Sequence, residues 1–229
     1  MSRIVIIGGH GKIALHLARI LSDRGDQVTS VFRNPDQADD VSATGAHPVV
    51  ADIEKLHTDA LADLLEGHDA VVFSAGSGGG DPARTYAVDR DAANRTIDAA
   101  SQAGVRRFVM VSYFGAGPDH GVPEDNSFYP YAQAKAAADA HLRASSLDWT
   151  VLRPGRLTLE PATGRIAVGA DAAEKAEVSR EDVALVAAAA LHDDSTIRRT
   201  IDFNSGELPI PEALSTSGDR KRGAAGHGG

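Results

Sequence analysis

The sequence predicts an α/β fold, a doubly wound and mostly parallel sheet with helices on both faces. Three observations predict it. Short apolar, β-branched runs alternate with stretches of helical spacing from Ile4 to Pro154, the order that parallel sheets and their right-handed crossovers require. A glycine turn, Gly8-Gly9-His10-Gly11-Lys12-Ile13-Ala14, follows the first run directly. Small and polar residues collect at the expected strand ends, at Gly8, Arg33, Asp52, Ser74-Ala75-Gly76, Ser112 and Pro154, where open α/β sheets bind their ligands.

Ile4-Val5-Ile6-Ile7 reads as the first strand, and the spacing of Leu15 to Leu21 as the first helix. Gln27 to Phe32 is a second strand, closed by Arg33-Asn34-Pro35, where Pro35 suits the start of a short helix. His47 to Ala51 is a third strand, followed by a helical stretch from Lys55 to Leu65. Asp69 to Ser74 is a fourth strand leading into the glycine-rich loop Ala75 to Gly80. Pro82 to Ala103 is a long helix without an internal breaker, stopped by Gly104. Val105 to Ser112 is a fifth strand, and the polar Gly115 to Ser127 stretch a long loop. Tyr129 to Ser146 is an alanine-rich helix, and Asp148 to Arg153 a sixth strand.

The remainder forms a small C-terminal portion on the substrate side. Arg165 to Val168 is an edge-strand candidate, Ser179-Arg180-Glu181-Asp182 a capping box for a helix through His192, and Thr200 to Phe203 a last strand. Pro209 to Leu214 is a terminal helical turn. One domain over residues 1–214 and a disordered tail over 215–229 are expected, because the tail is Ser, Gly, Lys, Arg and Ala.

The glycine turn has a physical reading. A strand-to-helix turn this sharp needs dihedrals that glycine adopts cheaply, and a pyrophosphate approaches the backbone only where no Cβ intrudes. Ala14 lets the first helix lie close on the sheet. The amides at the start of that helix, at Lys12 and Ile13, then favour phosphate charge. The G-x-x-G-x-x-A spacing of Gly8, Gly11 and Ala14 is a form of the dinucleotide-binding turn.

Composition narrows the function. The 229 residues carry 23 Lys+Arg against 32 Asp+Glu, a formal charge of −9. Such an acidic chain is a poor partner for nucleic acid or an anionic membrane. There is no cysteine, which excludes thiol catalysis, disulfides and thiolate metal sites. The nine histidines show no metal-ligand spacing, and no metal is expected. The opening apolar run of about four residues is too short for a signal peptide, and no stretch nears the roughly 18 apolar residues of a membrane helix. A cytoplasmic location is expected.

Tyr131-Ala132-Gln133-Ala134-Lys135 carries the chemistry. Residues four apart share a helix face, so phenol and ammonium point into one cleft. A tyrosine near pKa 10 is a weak acid–base catalyst at neutral pH, and a neighbouring cation draws it down. Lys135 also suits a hydrogen bond to a nicotinamide ribose. Ser112, at the end of the fifth strand, is placed to donate to a substrate carbonyl oxygen.

From Ile4 to about Leu214 the chain resembles the atypical, NAD(P)H-binding branch of the short-chain dehydrogenase/reductases, whose members are labelled NAD(P)-dependent oxidoreductases or nucleoside-diphosphate-sugar epimerases. The resemblance rests on the Gly8 to Ala14 turn, Phe32-Arg33-Asn34-Pro35, Tyr131 to Lys135, Asp148 to Gly155 and Ser179 to Ala184. The combination is specific to the family and silent on substrate. It implies a Rossmann-like fold. It implies that Gly8, Gly11, Lys12 and Ile13 lie at the phosphates, that Asp52 and Ile53 flank the adenine, and that Ser74, Ala75 and Gly76 lie beside the adenosine ribose. It puts Pro154 and Gly155 near the nicotinamide. Arg33 falls where the family chooses its cofactor; no acid occupies Val31 to Asn34, so a 2′-phosphate is expected there and NADP is favoured, with NAD possible.

There are departures. Ser112 and Tyr131 are 19 residues apart, longer than in the better-known branch, and the extra length falls in the Gly115 to Ser127 loop. The chain after Gly155 is short for a sugar-nucleotide epimerase, so a small carbonyl or quinone-like substrate is expected. The sequence thus points to an NADP(H)-dependent oxidoreductase with Tyr131, Lys135 and Ser112 as its catalytic residues, working on a small molecule as monomer or homodimer. The alternatives are a non-catalytic NADP(H)-binding redox sensor and a flavin-reductase-like activity.

Overall fold

The computed structural model describes residues 1–78, 80–173 and 177–219. In chain order the elements are β1 (Arg3–Ile7), α1 (Lys12–Asp23), β2 (Gln27–Phe32), α2 (Ala38–Ser42), β3 (His47–Val50), α3 (Thr58–Leu65), β4 (Ala70–Phe73), α4 (Pro82–Thr85), α5 (Ala93–Gln102), β5 (Arg107–Val111), α6 (Tyr129–Ala144), β6 (Asp148–Pro154), β7 (Arg156–Thr158), β8 (Arg165–Val168), β9 (Glu177–Ser179), α7 (Arg180–Leu191), β10 (Arg199–Ser205), β11 (Leu208–Pro209) and α8 (Ile210–Asp219).

One nine-stranded sheet runs β11-β8-β10-β6-β5-β4-β1-β2-β3. Seven strands from β10 to β3 are mutually parallel, and β8 and β11 pair antiparallel at the far end. The fold is Rossmann-like. After β1 the chain winds to β2 and β3 on one side, then returns to β4 and proceeds through β5 and β6 on the other. The order therefore reverses between β1 and β4, where such sheets open a ligand crevice.

The strands are apolar on both faces because helices cover both. Ile4 and Ile6 of β1 join a core with Leu17 and Leu21 of α1 and with Val183, Val186 and Ala187 of α7. Val5 and Ile7 alternate to the opposite core, with Leu61 and Leu65 of α3, Ile97 of α5 and Leu142 of α6. Ala14 is fully buried against the sheet. Trp149, in β6, belongs to the second core.

Several expectations need correction. Asp52 to Leu56 is a turn, with the Lys55 and Leu56 amides on the Asp52 carbonyl, so α3 begins at Thr58 rather than Lys55. The long helix after Asp81 is not uniform: Tyr86–Ala92 is π-helical between α4 and α5. Such bulges recur at functional sites. β7 and β9 form a separate parallel pair that alternation did not reveal, because each is only three residues long. His68 bridges the Leu65 carbonyl and Thr29 Oγ1. The helix at the C-terminus continues to Asp219, past the Ser215 boundary; the rest of the tail lies outside the described residues.

The capping box forms with a variation. Ser179 Oγ accepts from the Asp182 amide at 2.9 Å, and the fully buried Asp182 carboxylate also takes the Thr163 and Gly164 amides. Ser179 thus starts α7, and Asp182 ties down the loop before β8.

Candidate functional site

Two cavities open at the carboxyl ends of the parallel strands. The first, about 430 Å³, lies where the strand order reverses and is lined by the glycine turn, the ends of β2 and β3, and Ser74-Ala75-Gly76. Gly8 is at φ +86°, and a Cβ there would stand 2.6 Å from the Ala75 backbone. Its amide and that of Gly9 both donate to the Val31 carbonyl, at 3.0 and 2.8 Å. The turn is thereby locked against β2 and β4.

Gly11 caps α1 in an extended conformation with no side-chain cap, and no acidic residue occupies the first turn. The first-turn amides of Lys12 and Ile13 therefore keep the donors and the positive dipole end that a pyrophosphate needs. Lys12 is exposed and Ile13 is packed into the core. His10 leaves the turn to meet Asp40 at 2.9 Å. Asp52 and Ile53 line the same cleft, Asp52 Oδ1 accepting from the Glu54 amide at 3.2 Å. These residues fit a bound dinucleotide.

Arg33 reaches the cleft but is not unpaired. Its Nη1 donates to Glu54 Oε1 at 3.1 Å, and the same oxygen accepts from Arg84 Nε at 3.2 Å. The acid beside Arg33 is not at the end of β2: Glu54 comes in from the turn after β3. Asp89 is 1% exposed. It lies in the π-helical segment, its Oδ2 accepts from the Ser77 amide at 3.0 Å, and a Cβ on Gly76 would sit 3.2 Å from its Oδ1.

The second cavity, about 670 Å³, lies at the ends of β5, β6 and β10 and is walled mainly by Ser112, Tyr113, Phe128, Tyr131, Pro154 and Leu157. Tyr113, Phe128 and Tyr131 pack ring to ring with centroids 5.2–5.6 Å apart. Gly155 is fixed by its amide on Asn204 Oδ1 at 3.0 Å. Arg156, on the rim, pairs with Glu177.

Tyr131 thus meets Ser112 and Pro154 around one cavity, but Lys135 plays a different part from the one expected. Lys135 is 1% exposed and its Nζ donates to the Val111 carbonyl at 2.7 Å. The Tyr131 phenol is pushed up, not drawn down: burial is the largest cause, and Asp89, Tyr113 and Asp139 act in the same direction. The expectation of a phenolate prepared by Lys135 is corrected. In this arrangement Tyr131 holds its proton at neutral pH.

Ser112 is also engaged. Its Oγ donates to Asp139 Oδ2 at 3.0 Å, and Arg153 contacts the same oxygen through Nε at 3.2 Å and Nη2 at 3.1 Å. Asp139 is fully buried and its carboxyl is pushed up, first by burial, against the pull of Lys135 and Arg153. Neither Asp139 nor Arg153 was singled out from the sequence. The signal was there: Tyr131, Lys135 and Asp139 continue one ladder at four-residue spacing.

The NAD(P)H-binding family model matches residues 8–194. A Bacillus subtilis protein, named an uncharacterized sugar epimerase, is 37% identical over 214 residues, covering 93% of this chain and 98% of its own. A Bacillus halodurans structure of NAD-dependent epimerase/dehydratase type superposes with TM-score 0.85 at 33% identity, covering 94% of this chain and 100% of that one. The Lactococcus lactis oxidoreductase ylbE gives TM-score 0.83 at 29% identity, over 93% and 95% of the two chains.

Proposed function

The chain belongs to the NAD(P)H-binding family, and from that premise we propose that it is an NADP(H)-dependent oxidoreductase acting on a small carbonyl or quinone-like substrate. The observation that carries the reading is the place of Tyr131: its phenol stands on the wall of an apolar, aromatic cavity at the same end of the sheet as the nucleotide cleft. The bound dinucleotide supplies hydride exchange at a carbonyl carbon.

The protein's own residues supply the rest. Tyr131, the phenol on the cavity wall, delivers the proton to the carbonyl oxygen. Ser112, with its proton on Asp139, shapes the wall and leaves donation to Tyr131. Lys135 ties α6 to the end of β5 through Val111, and an ammonium so placed has two further donors for a ribose hydroxyl. Tyr113, Phe128 and Leu157 exclude water and favour a flat, apolar substrate over a sugar nucleotide. Arg33 at the adenosine end favours NADP over NAD.

A cytoplasmic location and a monomeric or homodimeric state go with this reading. Among the described residues no helix is long and apolar enough to cross a membrane.

The test is NADPH oxidation with a panel of quinones and aromatic aldehydes, on the wild type and Tyr131→Phe. Turnover that falls at least about 100-fold in the variant, with NADPH binding intact, supports the reading. Tight NADPH binding without turnover across the panel overturns it in favour of a non-catalytic redox sensor. That second reading draws on the engagement of Ser112 with Asp139 and of Lys135 with Val111. Turnover that survives Tyr131→Phe indicates flavin-reductase-like chemistry.

A further inference from the structure

We propose that Arg84 and Arg33 together form a subsite for the 2′-phosphate of NADP(H), and that Glu54 closes this subsite until the phosphate displaces it. The inference rests on the NADP reading above and assigns two residues that reading does not use.

The geometry is convergent. Arg33 from the end of β2 and Arg84 from α4 meet on a single oxygen, Glu54 Oε1, at 3.1 and 3.2 Å. All three line the nucleotide cleft. Two guanidiniums aimed at one point from different elements make a place for a doubly charged anion, and a carboxylate only half-neutralises them. A phosphate monoester carries roughly −1.5 to −2 at pH 7 and three acceptor oxygens, which matches two planar forks better than one carboxylate does.

The surroundings allow the exchange. Arg84 is anchored by Nη1 on the Ser77 carbonyl at 3.1 Å, so its guanidinium stays at the cleft when Glu54 leaves. The backbone on either side of Glu54 is pinned, because Arg95 donates to the carbonyls of Ile53, Glu54 and Leu56. Only the Glu54 side chain needs to swing. Its pairs are partly exposed, with side-chain exposures of 55% at Arg33 and 36% at Arg84, so each is weak enough to break.

The experiment is calorimetry of the full chain with 2′,5′-ADP and with 5′-AMP, which differ only in the 2′-phosphate. Wild type, Glu54→Gln, Arg84→Gln and Arg33→Gln are compared, with thermal melts to verify folding. Glu54→Gln is expected to tighten 2′,5′-ADP by about tenfold and leave 5′-AMP within about twofold. Arg84→Gln is expected to weaken 2′,5′-ADP by at least about tenfold with 5′-AMP unchanged, the size of one lost charge-assisted contact. A preference for 2′,5′-ADP that depends on Arg33 but survives Arg84→Gln overturns the proposal and leaves the NADP reading standing. So does a loss of 5′-AMP affinity in Glu54→Gln, which would make Glu54 a ligand of the nucleotide. A wild type with no preference overturns both, because the phosphate then fails to displace Glu54 in the native chain.

Discussion

Ser112 Oγ donates its one proton to Asp139 Oδ2 across 3.0 Å, and that same oxygen holds the Arg153 guanidinium. A serine at a substrate cavity is thereby wired to a buried ion pair. Removing one partner of such a pair strands the other charge out of water. Asp139→Leu is expected to lower unfolding stability by about 3–5 kcal/mol, and the double change Asp139→Leu with Arg153→Met to recover most of it. Urea unfolding of the three proteins checks this; equal stability of the single and double variants would mean that Arg153 finds water.

Tyr131 gives a pH signature. Its phenol is raised above the ordinary value, so the folded protein holds the proton where the unfolded chain gives it up. The stability this contributes is complete below about pH 10, the ordinary phenol range, and is lost as pH rises beyond it. Tyr131→Phe should flatten the part of the alkaline limb of a melting-temperature profile that lies above about pH 10. Carbonyl reduction should hold its rate through neutral pH and fall only where Tyr131 loses the proton it must donate.

Gly8 tests the turn. A side chain there must take φ +86° and meet the Ala75 backbone at 2.6 Å. Gly8→Ala is expected to cost at least about 1–2 kcal/mol from the dihedral alone and to weaken NADPH binding by at least about tenfold, because β1, β4 and the turn separate. Calorimetry and thermal melting read the two effects on one preparation.

Arg107 serves as the opposite control. Its guanidinium, at the other end of the sheet, donates to the Asp148 and Ala190 carbonyls at 2.7 and 2.6 Å and to Thr150 and Thr196. Arg107→Met removes one donor from each of these acceptors and should cost on the order of 3 kcal/mol in stability. NADPH affinity of the folded fraction should stay within about twofold of wild type, because no residue of the nucleotide cleft touches it.

The fold was legible wherever a long apolar run or a glycine turn dominates. β1, β2, β4 and β6 announce themselves by β-branched runs, and the order of turns places the crevice. The short β7–β9 pair was not legible, because three-residue strands carry no periodicity. The nucleotide cleft was partly legible. Gly8, Gly11, Arg33, Asp52 and Ser74 follow strand ends that can be read locally, whereas Glu54 and Arg84 reach Arg33 only through tertiary folding. Around Tyr131 the sequence showed the spacing of phenol and ammonium but not their directions: helix geometry permits Tyr131 and Lys135 to meet, and burial turns Lys135 to Val111 instead.

The π-helical turn and the strand reversal together have a consequence for how this protein diversifies. Among the described residues, those lining the nucleotide cleft fall between Gly8 and Val88, and those lining the aromatic cavity between Ser112 and Asn204. Choice of cofactor and choice of substrate are therefore written on successive, non-overlapping stretches of the chain. A single crossover between Gly104 and Arg107, in the connection before β5, would exchange the lining of the nucleotide cleft between two relatives and keep that of the aromatic cavity.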